Sequence, residues 1–273
     1  MIYKFFQPRP VLKEYIKEYL LLHFEFTGLS VNPQRDYTPC PEQCLTFDPR
    51  GHITAINKQT GEKQRRNSSY ISGQQSTCYD LHFDPDYLMI KVVFQPGALF
   101  KLLGVPLYEF NGYVDASLIL NTEIDPVNEQ LANATDYINM IQIIEDYLLA
   151  KVRNTRFSNQ PMDHIQYILN RQPEQFSLKW FANQACLSPR QFERKFLERF
   201  GVSPILYCRI ARFHKAFEMK ESHPEMDWLD VALNCGYSDF QHMNRDFKQF
   251  SSTTPTIMLN NHFNATERIL NLV

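Results

Sequence analysis

Two similar stretches decide the fold, and the first reads Ala182-Asn183-Gln184-Ala185-Cys186-Leu187-Ser188. It resembles Ala232-Leu233-Asn234-Cys235-Gly236-Tyr237-Ser238 later in the chain. The residues that follow each stretch also correspond, at a spacing of 51: Phe192, Arg194, Phe196 and Pro204 recur as Met243, Arg245, Phe247 and Pro255. Each copy has the pattern of a helix, a tight turn and a second helix, so the sequence contains one duplicated motif.

The second helix of each copy has its own start signal. Ser188-Pro189-Arg190-Gln191 fits a capping box, in which Ser is followed three residues later by Gln, with Pro at the first helical position. Ser238-Asp239-Phe240-Gln241 is predicted to repeat this box, and Asp239 favours the positive end of the helix. Gly201 is the expected stop of the first of these helices.

Each second helix is amphipathic when its residues are placed at about 100° intervals. The apolar faces consist of Phe192, Phe196 and Phe200 in the first copy and Met243, Phe247 and Phe250 in the second. The opposite, polar faces carry Arg190 and Arg194 in the first copy and Gln241 and Arg245 in the second. Arg and Gln side chains bond guanine and adenine edges in the major groove, so these faces predict base recognition.

Charge is distributed unevenly along the chain. The whole sequence has a formal net charge of −2, which by itself argues against a nucleic-acid partner. Residues 177–220, however, carry nine basic and three acidic side chains, a local net charge of +6. The nine are Lys179, Arg190, Arg194, Lys195, Arg199, Arg209, Arg212, Lys215 and Lys220. This basic segment predicts a localised surface for DNA phosphates.

A third helix is predicted between the two copies, from Ser203-Pro204 to about Glu221. A rigid helix in this place would fix the distance between the two recognition helices. Adjacent major grooves on one side of a duplex lie about 34 Å apart, a separation that such a connector can set.

The stretch from about residue 163 to about residue 259 resembles the DNA-binding domain of the AraC/XylS regulators. The matching residues, in chain order, are Leu178-x3-Ala182, Leu187-Ser188-x3-Phe192-x-Arg194-x-Phe196, Gly201-x-Ser203-Pro204-x2-Tyr207, Arg212-Phe213-x2-Ala216, Val231-Ala232-x3-Gly236-Tyr237-Ser238 and Arg245-x-Phe247-Lys248. The chain departs from the family pattern at Met243, Ser252 and Ile257-Met258. The resemblance implies a transcription regulator with two helix-turn-helix units in successive major grooves of double-stranded DNA.

The resemblance also implies roles for individual residues. The base-facing candidates are Arg190, Gln191, Glu193, Arg194, Phe240, Gln241, Asn244 and Arg245. The candidates for contacts with phosphate are Ser188, Lys195, Lys179, Ser238 and Lys248. For Glu193 and Asn244, a solvated side chain that contacts no base is as good an explanation as a base contact.

The first half of the chain predicts β-structure, so the fold class is α+β. Residues 46–53 and 81–94 each read as a strand, a turn with Pro or Gly and a second strand, and a short helix is expected at Ala98–Leu103. These patterns favour a small β-barrel or sandwich, with a cupin-like fold among the candidates, in an N-terminal domain of residues 1–152. A linker (153–161), the DNA-binding domain (162–260) and a C-terminal tail (261–273) are expected to follow.

An apolar stripe runs along Pro126–Val152, which predicts one long helix or two consecutive ones. The stripe has two interpretations that the sequence does not separate. It is either a dimerisation surface or the face that packs on the helix's own barrel. Resemblance to the N-terminal domains of AraC-type regulators implies effector binding, dimerisation or both, with RNA polymerase as a further possible partner.

Two alternatives compete with a plain regulator. Cys40 and Cys44 have a C-x3-C spacing similar to the zinc site of DNA-repair regulators that transfer alkyl groups. A closed zinc site needs four ligands, and only Cys78 follows in this half of the chain, so neither a metal, a cofactor nor an enzyme activity is expected. The second alternative is a small-molecule binding module that does not contact DNA.

Composition bounds the cellular setting. With 44% hydrophobic residues, 21 Phe and 14 Tyr, the chain is expected to form a large core. No apolar run approaches the length of about 18 residues that a membrane helix requires, and the N-terminus lacks the pattern of a signal peptide. The sequence therefore predicts a cytoplasmic protein, outside the membrane, with reduced cysteines.

Overall fold

The structure is a computed structural model that describes residues 2–26, 34–110, 112–154, 161–173, 176–265 and 268. Its N-terminal half is rich in strands, as the alternating and apolar runs predict, and ten strands lie among the described residues. They are β1 (Ile2–Phe6), β2 (Ile16–Glu25), β3 (Gln34–Tyr37), β4 (Cys44–Arg50), β5 (Ile53–Asn57), β6 (Lys63–Arg65), β7 (Ser69–Ser72), β8 (Tyr79–Phe83), β9 (Asp86–Phe94) and β10 (Val114–Asp115).

The strands form two antiparallel sheets. The larger sheet has the order β1-β2-β9-β4-β7-β10, and the smaller has the order β3-β8-β5-β6. Residues of both sheets, among them Phe24, Ala55 and Tyr87, share one buried cluster, so the sheets form a sandwich. The predicted α+β class with a β-rich N-terminal domain is confirmed.

Both predicted strand–turn–strand segments are confirmed as strands, but neither forms a hairpin. β4 lies in the larger sheet and β5 in the smaller, and the same division separates β9 from β8. The turns after Arg50 and Phe83 therefore carry the chain from one sheet to the other. A strand buried on both faces reads as a nearly continuous apolar run, as Leu20–Phe24 does within β2.

Four helices cover the outer face of the larger sheet: α1 (Ala98–Leu103), α2 (Ala116–Leu120), α3 (Asp125–Asn133) and α4 (Tyr137–Arg153). The stripe predicted over 126–152 is thus two helices, and α4 begins with Asp136 accepting a hydrogen bond from the Asn139 amide. Ile141, Ile144 and Leu148 join the core beneath the sheet. The face proposed for dimerisation is therefore used for packing, apart from Ile138, which is 65% exposed.

The C-terminal half is helical throughout the part that the structure describes. Its helices are α5 (Pro161–Arg171), α6 (Leu178–Gln184), α7 (Pro189–Phe200), α8 (Pro204–Ser222), α9 (Trp228–Asn234), α10 (Phe240–Ser251) and α11 (Pro255–Phe263). Tyr207 in the first half of α8 joins the core of α5–α7, and Phe213 in its second half joins the core of α9–α11. The connector predicted from Ser203-Pro204 to Glu221 is therefore confirmed as a helix shared by both units.

The two halves of the molecule meet where α7 ends. Gly201, with φ +79°, stops the helix, and a Cβ atom there would approach the Leu107 carbonyl oxygen to 2.9 Å. The Arg199 guanidinium lies 5.3 Å from the centre of the Phe100 ring. The backbone carbonyl of Arg199 accepts a hydrogen bond of 3.2 Å from Gln43 Nε2. These contacts attach the C-terminal end of α7 to the N-terminal domain.

Most of the predicted linker and most of the predicted tail lie outside the described residues, which leave out 155–160, 266–267 and 269–273. The proposed domain limits therefore stay predictions. In the described part of the chain, no helix is both long enough and apolar enough to traverse a bilayer.

Candidate DNA-binding surface

The first helix-turn-helix unit consists of α6 and α7, which are joined by a short turn. The Leu187 amide donates to the Ala182 carbonyl at 2.9 Å, which closes α6, and Cys186 adopts a left-handed φ of +55°. Ser188 then caps α7: its Oγ accepts from the Gln191 amide, and Gln191 Oε1 accepts from the Ser188 amide. The predicted capping box is present in this unit.

The second unit, α9 and α10, repeats this turn with one extra residue. The Tyr237 amide bonds to the Ala232 carbonyl at 3.0 Å, and Gly236 has a φ of +76° at the position of Cys186. The prediction that Ser238 caps α10 with Gln241 is wrong. Asp239 is the N-cap, accepting from the His242 amide at 2.6 Å, and this hydrogen bond lowers the pKa of Asp239. The extra residue explains why the turns repeat at 50 residues and the helices at 51.

The side chains predicted to face bases are mostly exposed. Arg190, Glu193 and Arg194 project from α7, and Arg245 and Gln241 project from α10 at matching positions. The Arg194 side chain is 69% exposed, and its 3.8 Å approach to Glu198 is a surface contact that contributes little stability. Opposite them, Phe192, Phe196, Met243 and Phe247 are buried. The two helices thus have the apolar and polar faces that the sequence predicts.

Three base-facing candidates have other contacts. Gln191 is exposed, but its side-chain oxygen is occupied by the capping box. Phe240 is half-buried against the core of the second unit. Asn244 is also half-buried, and its buried Oδ1 has no hydrogen-bond partner among the described residues. A buried amide oxygen without a partner is unfavourable, so Asn244 is able to gain a bond when a donor approaches.

The candidates for phosphate contact divide by exposure. Four are exposed: Ser188, Lys179, Ser238 and Lys248. Lys195 is half-buried on α7. The Ser238 hydroxyl contacts Asp239 at 3.2 Å and His242 at 3.3 Å, so it lies at the start of α10.

The basic segment contributes less charge to the surface than its sequence suggests. Four of its nine cations are used within the protein. Arg199 packs on Phe100, Arg209 pairs with Asp246, Arg212 donates to the Gly236 carbonyl, and Lys220 donates to the carbonyls of Pro224 and Met226. The exposed cations of the segment are Lys179, Arg190 and Arg194, which all belong to the first unit.

A buried acid, which the sequence analysis missed, organises the second unit. Asp246, on α10, is 2% exposed. It accepts two hydrogen bonds from Arg209, at 2.7 and 3.1 Å, and one from the Tyr237 hydroxyl at 3.2 Å. Arg209 Nη2 also donates a hydrogen bond of 2.5 Å to Gln249 Oε1. One polar network therefore joins α8, the turn of the second unit and α10. In the sequence, Asp246 looks like any charged residue on an amphipathic helix. Its partner, Arg209, lies on the connector helix α8 and is identified only by the structure.

The surroundings of the N-terminal cysteines favour the neutral thiol. Burial raises the pKa of Cys40 well above its usual value, and it raises the pKa of Cys44 and Cys78 to about 12. A thiol reacts and binds metal as the thiolate, so these side chains are poorly suited to alkyl transfer. Cys40 Sγ instead donates to Glu42 at 3.6 Å.

A cavity of roughly 600 Å³ separates the sandwich from the second unit. Its N-terminal wall includes two ion pairs, Lys58–Asp36 at 2.6 Å and Lys91–Glu42 at 2.9 Å. Although burial favours the protonated acid, the Lys91 ammonium lowers the pKa of Glu42 to about 2. The opposite wall is formed by α8 and α11, with Phe213 among its apolar residues.

Protein-family models match part of each half of the chain. Residues 181–261 match the helix-turn-helix domain family, and residues 4–114 match a domain of unknown function, DUF6597. The chain carries an AraC-type helix-turn-helix domain. The helix-turn-helix match runs from within α6 to within α11, and the DUF6597 match runs from within β1 to the first residue of β10.

Several solved structures are similar to the chain. ToxT from Vibrio cholerae is 13% identical, with a TM-score of 0.49, over 91% of this chain and 99% of that one. A transcriptional regulator from Chromobacterium violaceum with an AraC-type DNA-binding domain is 20% identical, with a TM-score of 0.34, over 37% and 90%. The DNA-binding domain of AdpA, solved with a target DNA, is 20% identical, with a TM-score of 0.36, over 39% and 96%. No curated protein sequence matches the chain.

Proposed function

We propose that this protein is a sequence-specific transcription regulator whose helices α7 and α10 read adjacent major grooves of double-stranded DNA. The observation that carries the proposal is the pair of matching arginines, Arg194 and Arg245. Each is exposed, and each lies opposite a buried aromatic face on the second helix of its unit. A bidentate Arg–guanine contact is the commonest specific contact in a major groove, so this placement supports base readout by both units.

The exposed charges support the same function. Lys179 is exposed on α6, Arg190 and Arg194 on α7, and Arg245 and Lys248 on α10. Near a duplex, such side chains displace counterions from the phosphates and orient the protein before any base is read. The overall charge of −2 does not oppose this, because these cations lie in the two helix-turn-helix units.

The direct test is selection of binding sites from a pool of random double-stranded DNA by the full-length chain. We expect an enriched sequence with two short blocks whose centres are about one helical turn, or 10–10.5 base pairs, apart. Affinity for this sequence, measured by fluorescence anisotropy, should fall steeply as salt rises. No enrichment, or a single uninterrupted block that needs only one unit, would contradict the proposal.

The control for surface charge is a lysine distant from both units. Lys63→Ala removes an exposed cation from the edge strand β6 and should leave the affinity unchanged. The double variant R194A/R245A should bind selected and random DNA almost equally. Light scattering on the selected complex then distinguishes one bound copy from a homodimer.

A second function, regulation by a small molecule, is favoured by the cavity between the sandwich and the second unit. A ligand in this cavity would contact both the N-terminal domain and α8. It would therefore bias the position of α10 relative to α7. Asn261→Trp, an exposed residue that lines the cavity, should block the response of DNA binding to a cell metabolite extract. Asn260→Trp, also exposed, is the matched control that should keep the response. If the extract never alters DNA binding, this second function is wrong.

A further inference from the structure

Three side chains with metal-binding atoms meet on the outer face of the larger sheet. His23 and Glu25 are two residues apart on β2, so they point to the same side. Asp86, the first residue of β9, is paired directly with Glu25, and Leu88 is paired with His23. The shared face is the one that α4 covers, since His23 packs against Tyr137 with ring centres 5.9 Å apart.

The donor atoms are close enough to share one ion. His23 Nε2 lies 2.9 Å from Asp86 Oδ1 and 3.6 Å from Glu25 Oε1, and all three ligand atoms lie within 4.8 Å of one another. Two ligands bound tetrahedrally to Zn²⁺ at about 2.0–2.1 Å are separated by about 3.3 Å. Small rotations of the two carboxylates would therefore complete three coordination bonds.

The second nitrogen of His23 is already held in the orientation that a metal ligand requires. Nδ1 lies 2.7 Å from the hydroxyl of Tyr137, the first residue of α4. When Nε2 binds an ion, Nδ1 keeps its proton and donates it to this hydroxyl, which fixes the tautomer and the ring. The His23 side chain is only 6% exposed, so this orientation is enforced by packing as well.

We propose that His23, Glu25 and Asp86 bind one divalent transition-metal ion of the Zn²⁺ class. Imidazole with two carboxylates suits Zn²⁺ and its neighbours better than Ca²⁺ or Mg²⁺, which prefer oxygen ligands alone. With three protein ligands, a fourth position stays open to water. Bound there, the ion joins the end of β2, the start of β9 and, through Tyr137, the N-terminus of α4. The proposal is independent of DNA binding.

Other histidines of the chain supply the contrast. His82 approaches Asp80 at 3.1 Å, two residues away on β8, in the same arrangement as His23 and Glu25. Among the described residues, however, the group of three ligands is formed at His23 and not at His82. His82 is therefore a matched control: it has a histidine–carboxylate pair, but no third metal-binding side chain joins it among the described residues.

The test is isothermal titration of ZnCl₂ into the full-length, untagged chain after treatment with a chelator. We expect one ion per chain, with affinity at least about tenfold weaker in His23→Gln, since loss of a ligand or its orienting partner typically costs 10–100-fold. His82→Gln should bind like the unaltered chain. Absence of binding, or equal binding by the His23→Gln variant, would overturn the proposal.

Glu25→Gln keeps the test decisive if His23→Gln disturbs folding. Glu25 is 57% exposed, so its substitution should leave the melting temperature of the metal-free chain unchanged while weakening Zn²⁺ binding. Arg50 provides a change of opposite sign, because its Nη1 lies 3.4 Å from Asp86 Oδ2 and repels a cation. Arg50→Gln should bind Zn²⁺ about threefold more tightly. Unchanged affinity in Glu25→Gln, or weaker binding in Arg50→Gln, would count against the site.

Discussion

The two helix-turn-helix units are copies of one motif, yet they hold their second helices differently. In the first unit, α7 is fixed by aromatic packing, with the Phe196 and Phe200 rings 4.3 Å apart at their centres. In the second, α10 has the same apolar face but adds the buried Asp246 and its bonds to Arg209 and Tyr237. At the spacing of 51 residues, Lys195 occupies the position of Asp246 in the first unit. One motif therefore tolerates either a half-buried cation or a buried anion at this position.

The units also differ in their attachment to the N-terminal domain. The end of α7 contacts it directly, through Gly201 against Leu107 and Arg199 against Phe100. The second unit faces the same domain across the cavity that α8 and α11 line, and α10 contacts it through an exposed hydrogen bond of 3.0 Å from Gln59 Nε2 to the Gln249 carbonyl. The first reading helix is thus oriented by the sandwich, whereas the second is oriented mainly by the connector helix and its own polar network. Substitutions at matching positions should consequently have unequal effects.

The largest expected effect is at Asp246. Asp246→Ala removes the buried carboxylate to which the Arg209 guanidinium and the Tyr237 hydroxyl both donate, and leaves Arg209 only its exposed bond to Gln249. Removing one partner of a buried pair costs about 3–5 kcal/mol, so the free energy of unfolding should fall by that order. Urea denaturation followed by circular dichroism measures it.

Lys195→Ala is the matched control for this prediction, since it changes the same helix position in the first unit. Its side chain is half-buried and its loss should cost less than about 0.5 kcal/mol, as for most surface substitutions. Equal losses for the two variants would mean that the polar network does not distinguish the units.

The second effect concerns the contact between α7 and the sandwich. Gly201→Ala places a Cβ at a left-handed φ of +79° and within 2.9 Å of the Leu107 carbonyl. Gly61→Ala has a similar φ of +73° but open space around the new atom. Strain at φ alone costs about 1–2 kcal/mol, so Gly61→Ala should show that loss and Gly201→Ala a larger one.

Limited proteolysis separates strain from domain contact in the same two variants. Gly201→Ala should expose the region between the two halves to cleavage, because the end of α7 must move away from Leu107. Gly61→Ala should not change the cleavage pattern. Equal stability and equal cleavage in both would show that the close approach has no energetic weight.

Local features of the sequence predicted the units well, and features that depend on distant partners were not predictable. Capping of α7 by Ser188 and the aromatic stripe of Phe192 and Phe196 follow from residues within one or two turns. The capping residue of α10 was misassigned by one position, because Ser238 and Asp239 are both good N-caps and the turn length decides between them.

Charge was the least predictable property of the site. Arg209 and Arg212 belong to the basic segment by sequence, yet each is directed to an acceptor in the second unit, Asp246 or the Gly236 carbonyl. Those acceptors are 24 to 37 residues away, so no local pattern reveals them. The same reason explains the cavity, whose walls come from both halves of the chain.

The third prediction compares the reading functions of the two units. Arg194→Ala and Arg245→Ala should each weaken binding to the selected DNA by about 1–3 kcal/mol, the contribution of one bidentate base contact. Each variant should lose discrimination in one block of the site only, and the two variants should affect different blocks. Anisotropy titrations with single-base substitutions across both blocks measure this.

Neither variant should change the free energy of unfolding, because both side chains are exposed. This separates loss of recognition from loss of fold. If both arginines affected the same block, or if neither affected binding, the assignment of one helix to each groove would be wrong.

The smallest expected effect tests the turn that both units share. Cys186 and Gly236 occupy the same left-handed position, at φ +55° and +76°, and only glycine adopts this conformation without strain. Cys186→Gly should relieve about 1–2 kcal/mol of strain. It also gives the unfolded chain extra freedom, which offsets about 0.4–1 kcal/mol, so a net gain in stability of about 0.5 kcal/mol is expected.

Gly236→Ala is the reverse change and should lose about 0.5 kcal/mol for the same two reasons. Cys186→Ala keeps the Cβ and removes only the exposed thiol, so it should leave the free energy of unfolding unchanged. If Cys186→Ala stabilised the chain as much as Cys186→Gly, the thiol and not the backbone would be the source of the effect. The two turns would then differ in side-chain chemistry alone, and the left-handed residue would not limit the stability of the first unit.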